Sequence, residues 1–278
     1  RKYIKQGIED WQVAFERAGF KNAIIAKEIT DSMTVDMDDV NYSVLTYAAS
    51  TKANAMGPSI LDPRSGEILE ADIMWWHNVL NMLQEWITVQ TGTVRPEARG
   101  IKLSDELMGD AMRFVACHEV GHSLGLRHNM MGSWAFPTDS LRSKSFTDLM
   151  NSTSSSIMDY ARFNYVAQPG DGITALSPHI GPYDIFAIEY GYRWYGKNTP
   201  EEEKTLLFNF LSKHTDRLYK YSEAQDVRDA VDPRAQNEDL GDDPVRSSLL
   251  GIENLKRIVP QILQWTTTGE KGQTYEEA

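Results

Sequence analysis

The chain has 278 residues, 41% of them hydrophobic and 10% aromatic, which is enough apolar material to bury a sizeable core and excludes wholesale disorder. Lys and Arg number 28 against 40 Asp and Glu, a formal net charge of −12; the acid is spread along the chain without a basic, aromatic-interleaved patch, which argues against a nucleic-acid partner. The single cysteine, Cys117, excludes an internal disulfide, and no apolar run approaches the roughly 18 residues of a membrane span. A start at Arg1 without a leader and a polar final stretch over 266–278 suggest a fragment of a longer protein.

Over residues 2–18, Ile4, Ile8, Trp11, Val13, Ala14, Phe15 and Ala18 recur near helical spacing and Gly19 follows as a stop, predicting one helix. Residues 23–29 and 44–47 read as short strands. Between them Asp36, Asp38, Asp39 and Asn41 offer oxygens to calcium but lack the Gly and terminal Glu of an EF-hand loop. A solvated turn is expected there, and calcium has no support. Residues 68–73 read as a strand after the turn signal of Asp62-Pro63-Arg64-Ser65-Gly66, and 75–89 as a helix. Ser104 is the expected N-cap of the next helix, with Asp105 and Glu106 in its first turn; this helix runs through His118 and His122 and should end at Gly125. Residues 133–156, rich in Ser and Thr, read mostly as loop. Helices are expected over 183–190, stopped by Gly191, and over 200–214 and 244–265. No internal repeat is present.

The chemistry lies in His118-Glu119-Val120-Gly121-His122-Ser123-Leu124-Gly125-Leu126-Arg127-His128. Residues four apart share a helix face, so His118 and His122 can aim two imidazoles at one ion. Glu119, about 100° round the helix from His118, lies beside the metal position without being a ligand and suits proton transfer. Gly125 permits a left-handed turn that brings His128 back as a third ligand. Three protein ligands leave one position open for water, the catalytic arrangement of zinc. Half of the six histidines fall in this stretch, and the pattern should arise by chance on the order of once in a hundred thousand such chains. His77, His179 and His214 carry no such spacing and read as structural. Cys117 precedes the first ligand by one, points off the metal face and reads as a buried, inert thiol.

This segment is the H-E-x-x-H-x-x-G-x-x-H signature, and through it the chain resembles the metzincin clan of zinc metallopeptidases. Ser156-Ile157-Met158-Asp159-Tyr160 fits the clan's Met-turn, with Met158 as an apolar floor under the histidines. Tyr160, two residues on, has the spacing of astacin-like and serralysin-like members; the resemblance implies a hydroxyl that reaches the metal and stabilises the oxyanion. Residues 3–18, 57–73, 116–129, 156–168 and 180–193 together resemble a bacterial zinc-dependent metalloprotease family with a matrixin-like catalytic domain, formerly of unknown function. Asp184 to Gly191 resembles the late helix packed beneath the Met-turn. Asn129, following the third histidine, matches none of the best-known subfamilies, and the strand expected before the opening helix is not in the sequence.

The resemblance implies an α+β, metzincin-like fold: a single catalytic domain over 1–278, with an upper lobe (1–128) carrying a twisted mixed sheet and the active-site helix. A mostly helical lower lobe (129–278) would carry the Met-turn. The expected activity is zinc-dependent endopeptidase, with one catalytic Zn2+ held by His118, His122 and His128 and Glu119 as general base. The expected partner is an extended polypeptide substrate, pairing with an edge strand at 68–73, its pocket formed by 132–155 or by residues after Tyr160. Alternatives are a catalytically silent zinc-binding module and a zinc hydrolase of a non-protein amide. A secreted, periplasmic or outer-surface location in bacteria follows from the resemblance alone.

Overall fold

The computed structural model describes residues 1–30, 33, 36, 39–100, 102–197, 199–223 and 232–267. The opening segment forms two helices, α1 (Lys2–Glu9) and α2 (Gln12–Ala18), instead of one. The break falls where two side chains are tied elsewhere. Asp10 pairs with Arg113, and the buried indole of Trp11 donates to the Cys117 carbonyl at 2.8 Å. Gly19 ends α2 in the left-handed region (φ 107°), as expected. Residues 23–29 do not form the expected strand. Ile25 and Ile29 are exposed, and the amides of Ile24 and Ala26 are met by the side chains of Gln12 and Glu9 instead of a neighbouring strand.

Five short strands follow: β1 (Leu45–Ala48), β2 (Ala55–Met56), β3 (Ile60–Leu61), β4 (Ile68–Glu70) and β5 (Ile73–Trp76). They make a mixed three-stranded sheet, ordered β1-β5-β2, and a separate β3-β4 hairpin. β1 runs parallel to β5 with Leu45 beside Ile73, and β2 runs antiparallel to it with Ala55 beside Trp75. The expected strand over 68–73 is therefore split between the two sheets. At its corner, Asp72 accepts from the Val44 amide and Ser43 from that of Ala71. Trp75 and Trp76 belong to β5 and not to a helix: Ile73 and Trp75 point inward while Met74 is exposed, the period-two pattern of a strand.

Helix α3 (Val79–Thr91) buries Val79, Leu83 and Ile87. Helix α4 (Asp105–Ser123) starts at Ser104, whose hydroxyl accepts from the Leu107 amide, as expected of an N-cap. The expected loop at 133–156 contains a short 3-10 turn at Ser140–Arg142 and one α-helix, α5 (Lys144–Met150). The rest is irregular yet buried: Ser152 to Ser156 are nearly inaccessible. The Ser/Thr-rich composition makes that tolerable. Ser152 and Thr153 donate to the carbonyls of His179 and Arg162, and Ser154 to that of Ser156, satisfying backbone groups that burial would otherwise orphan. Helices α6 (Pro182–Tyr192), α7 (Pro200–Ser212), α8 (Pro244–Ile258) and α9 (Ile262–Thr266) complete the chain. Pro260 lies in the short 3-10 turn between α8 and α9, where a proline interrupts continuous helix.

The fold is α+β. Its largest core joins Trp11 and Phe15, Leu83 and Ile87 of α3, and Phe114 and Val120 of α4 to Ile157, Met158, Phe163 and Ile188. No helix among the described residues is long and apolar enough to cross a membrane. At the Asp-rich turn, Asp39 accepts from the amide and side chain of Asn41, a local turn bond; Asp38 lies outside the described residues.

A buried carboxylate pair braces the second half of the chain. Ser133 donates its amide to Asp159 and its hydroxyl to Asp239. Burial pushes Asp239 up to about 6; burial, reinforced by Asp239, pushes Asp159 well above the ordinary carboxylate range. A folded-state value above the unfolded one means that Asp239 contributes stability below about pH 4, and that this is lost as pH rises through about 6. Asp239→Asn, a mimic of the protonated acid, should therefore gain on wild type by on the order of 2 kcal/mol between pH 4.5 and 7.5 and change little above that. Urea unfolding of both proteins across this range measures the difference.

Candidate metal centre

Helix α4 delivers the first two histidines and Gly125 the third. The helix stops at Ser123, and Gly125 takes a positive φ of 86°, the left-handed conformation expected of it. His128 returns so that its Nε2 stands 3.2 Å from Nε2 of His118 and 3.1 Å from Nε2 of His122. All three ligand atoms lie within 4.8 Å of one another. Nitrogens sharing a tetrahedral zinc at roughly 2.0–2.1 Å each stand about 3.3 Å apart, so the spacing fits one ion.

Protonation supports the same reading. His118 Nδ1 lies 2.7 Å from the Ile157 carbonyl and His122 Nδ1 lies 2.9 Å from that of Leu126. A carbonyl only accepts, so each Nδ1 carries the proton and each Nε2 presents a lone pair to the centre. Burial, with the adjoining imidazoles of His122 and His128, holds His118 well below its ordinary pKa, and burial lowers His122 as well. Neutral imidazoles with converging lone pairs are the donor set that a divalent transition metal takes.

Glu119 is buried beside them, and burial pushes it up to about 7 against a hydrogen bond from the Gly57 amide. That bond ties the carboxylate to the end of β2. Nothing local to Gly57 in the sequence could have revealed its contact with α4.

The turn over residues 156–160 packs against the histidine-bearing helix. Ile157 supplies the carbonyl that orients His118, and Met158 is fully buried against α4. A Cβ on Gly121 would fall 2.2 Å from the Met158 sulfur and 2.8 Å from the Trp11 ring, so Gly121 permits the close approach. Asp184 anchors the turn from the start of α6. It accepts from Ser156 Oγ (2.7 Å), the Ile157 amide (2.7 Å) and the Gly181 amide (2.8 Å); burial nonetheless pushes it up to about 7. Asn129 has a structural task that the sequence did not disclose. Its amide donates to the Met158 carbonyl, and its side chain bonds the Lys220 carbonyl and the Ser222 amide. The Tyr160 ring centroid is 4.4 Å from that of His128 and 5.8 Å from that of His118.

A cavity of about 570 Å3 opens over this group. Its walls come from residues 53–58 around β2, from Val79, Met82 and Trp86 of α3, from Phe114 and Val115 of α4, and from Tyr160 and Arg162. The edge strand lining the cavity is β2; no residue of the expected 68–73 lines it, although β4 also keeps one edge unpaired beside β3, and β5 is central in its sheet. Of the two expected pocket segments, the one after Tyr160 contributes Arg162, while 132–155 lines none of this cavity. The remaining histidines lie away from it. His77 contacts Tyr47, His179 bonds the Asn151 carbonyl and faces Asp110, and His214 bonds the Phe210 carbonyl among aromatic rings. Cys117 is buried, and that burial raises its thiol pKa well above the ordinary value.

Among known protein families, the Met-zincins match residues 100–278. The chain belongs to the Met-zincin family. No curated protein and no solved structure matches it. The matched part of this Met-zincin contains the three histidines, Glu119 and the Met-turn, and the three-histidine group is consistent with zinc.

Gly121→Ala should cost about 1–3 kcal/mol through overpacking against Met158 and Trp11. A lowered unfolding midpoint, with zinc content per folded chain preserved at low temperature, is the expected result. An unchanged midpoint would show that Met158 does not press on the helix.

Proposed function

We propose that this Met-zincin is a zinc-dependent endopeptidase in which His118, His122 and His128 hold the metal and Glu119 is the general base. The observation that carries this reading is the convergence of three Nε2 atoms beside a buried carboxylate, at an open cavity. Zinc bound there supplies Lewis acidity, which acidifies water and polarises a carbonyl.

The chain's own residues account for the rest of the reaction. Glu119, oriented by the Gly57 amide, takes a proton from the attacking water and delivers it to the amine nitrogen as the peptide bond breaks. The Tyr160 hydroxyl donates to the oxyanion that forms on the former carbonyl, a role supported by its ring lying against His128. Met158 and Gly125 support the site by packing and by backbone conformation.

The substrate lies extended along β2, whose outer edge has no strand partner among the described residues. Backbone pairing of this kind tolerates many sequences and presents successive side chains alternately toward and away from the cavity. An outer-surface, periplasmic or secreted location accompanies this reading and rests on the family resemblance.

Cleavage of a mixed denatured-protein substrate by wild type and by Glu119→Ala, with zinc measured on both, tests the assignment. Both chains should bind about one zinc, and only wild type should cut, with the variant's rate lower by at least about a hundredfold. Zinc in both with cleavage by neither would favour a silent zinc-binding module, and cleavage of a non-peptide amide alone would favour the other hydrolase reading. No zinc in either would remove the assignment.

A further inference from the structure

Arg162 was not singled out by any motif, yet it is the cationic side chain in the wall of the cavity beside the histidines. The residue is only 9% exposed. Its guanidinium carbon lies 4.1 Å from the Trp86 ring centroid and 5.2 Å from that of Tyr160, so two π faces hold it in place. One terminal nitrogen, Nη2, donates to Glu238 at 2.6 Å. The Glu238 side chain is 61% exposed, which leaves the pair lopsided: a buried cation answered through one nitrogen by a carboxylate that is largely in water. Nε is buried and has no hydrogen-bond partner among the described residues. A guanidinium does not lose its charge in a protein, and a buried charge that is incompletely paired is costly.

The approach to Arg162 is apolar. Val79, Met82 and Trp86, spaced three and four apart, present one face of α3 to the cavity, and Phe114 faces it from α4. A corridor with apolar sides and a fixed cation in its wall complements a group with a short hydrocarbon stem and an anionic end. We propose that Arg162 is a specificity-determining residue that receives a carboxylate of the substrate, and that the cavity thereby selects acidic residues next to the cleaved bond. This rests on the peptidase reading for its biological meaning, but the binding site itself does not. Glu238 is then an internal competitor, because it already offers one carboxylate to the same guanidinium. Removing its charge should strengthen selection, whereas removing that of Arg162 should abolish it.

The experiment uses the zinc-loaded Glu119→Ala chain, in which cleavage is suppressed, and measures peptide binding by calorimetry. Two extended peptides differ only by Glu or Gln at one position, both with amidated ends; a third is neutral along its length with a free C-terminal carboxylate. The Glu peptide should bind roughly tenfold more tightly than the Gln peptide. Arg162→Gln should equalise the two, and Glu238→Gln should widen the gap. Preference for the third peptide alone, lost in Arg162→Gln, would assign the carboxylate to the chain terminus, still received by Arg162. Equal binding of all three peptides, or a Glu preference that survives Arg162→Gln, would overturn the proposal. The opposite signs expected of the two variants separate it from simple misfolding, since damage to the fold would weaken binding in both. Parallel cleavage by wild type separates the two readings. Cleavage without acid preference would defeat the Arg162 role alone, and acid-selective binding without any cleavage would defeat the peptidase role alone.

Discussion

The hydrogen bond from His118 Nδ1 to the Ile157 carbonyl joins the two parts of the metal centre, and much of the surrounding structure serves to fix its ends. One end is a helix side chain whose rotation would otherwise be free. The other is a carbonyl in an irregular loop, which needs outside support to stay in place. Asp184 provides that support by gathering the Ser156 hydroxyl and the Ile157 and Gly181 amides onto one carboxyl group. Its placement at the start of α6 is favourable as well, since helix N-termini attract negative charge. Helix α6, the Met-turn and α4 are thus linked by polar bonds, and Met158 against Gly121 fills the space between them. His118 and His122, two of the three proposed ligands, are oriented by backbone carbonyls.

Burial governs the electrostatics of the centre. Desolvation keeps His118 and His122 neutral and raises Glu119, Asp184, Asp159 and Asp239. These shifts serve different ends. Neutral imidazoles are required of ligands, and a raised Glu119 suits proton transfer. The raised acids beneath the centre instead record the cost of burying carboxyl groups as structural anchors. Ionised or protonated, an anchor of this kind works only while its donors stay in place. The Ser/Thr-rich stretch before the Met-turn is therefore as structural as any apolar core segment: its hydroxyls and amides satisfy a buried loop where hydrophobic residues would leave backbone groups unpaired.

The candidate centre was legible in sequence because its residues are local. His118, Glu119 and His122 are fixed by helical spacing, and Gly125 announces the turn that returns His128. Met158 and Tyr160 became readable only through their position relative to that motif. The features that escaped are those made by distant parts of the chain. Gly57 bonds Glu119 across 62 residues of sequence, and Asn129 reaches forward to Lys220 and Ser222. Neither contact leaves a local pattern. The expected strand at 44–47 is present as β1, but strand assignment failed elsewhere for a related reason. A strand depends on its partner, so 23–29, with fitting composition but no ladder, stayed irregular, while Trp75-Trp76 was drawn into the sheet by β1 and β2. Helices α4 and α7, with capping residues and acidic first turns of their own, were read correctly almost to the residue.

The same distinction separates chemistry from selection in the cavity. Residues 100–278, which carry the family match, contain the histidines, Glu119, the Met-turn and Arg162. The opposite wall is built by 53–58 and by one face of α3, outside that match. A metal centre needs a few donors held at fixed distances, and a compact motif with its supporting turn supplies them. A substrate channel needs two walls, and here they come from parts of the chain that meet only on folding. Arg162 stands where they meet, four residues after Met158 in sequence but stacked on Trp86 of α3 in space. Its position joins the wall carried by the family-matched part of the chain to the wall built outside it. Changes in α3 or around β2 would therefore reshape this cavity while leaving the histidines and Glu119 in place.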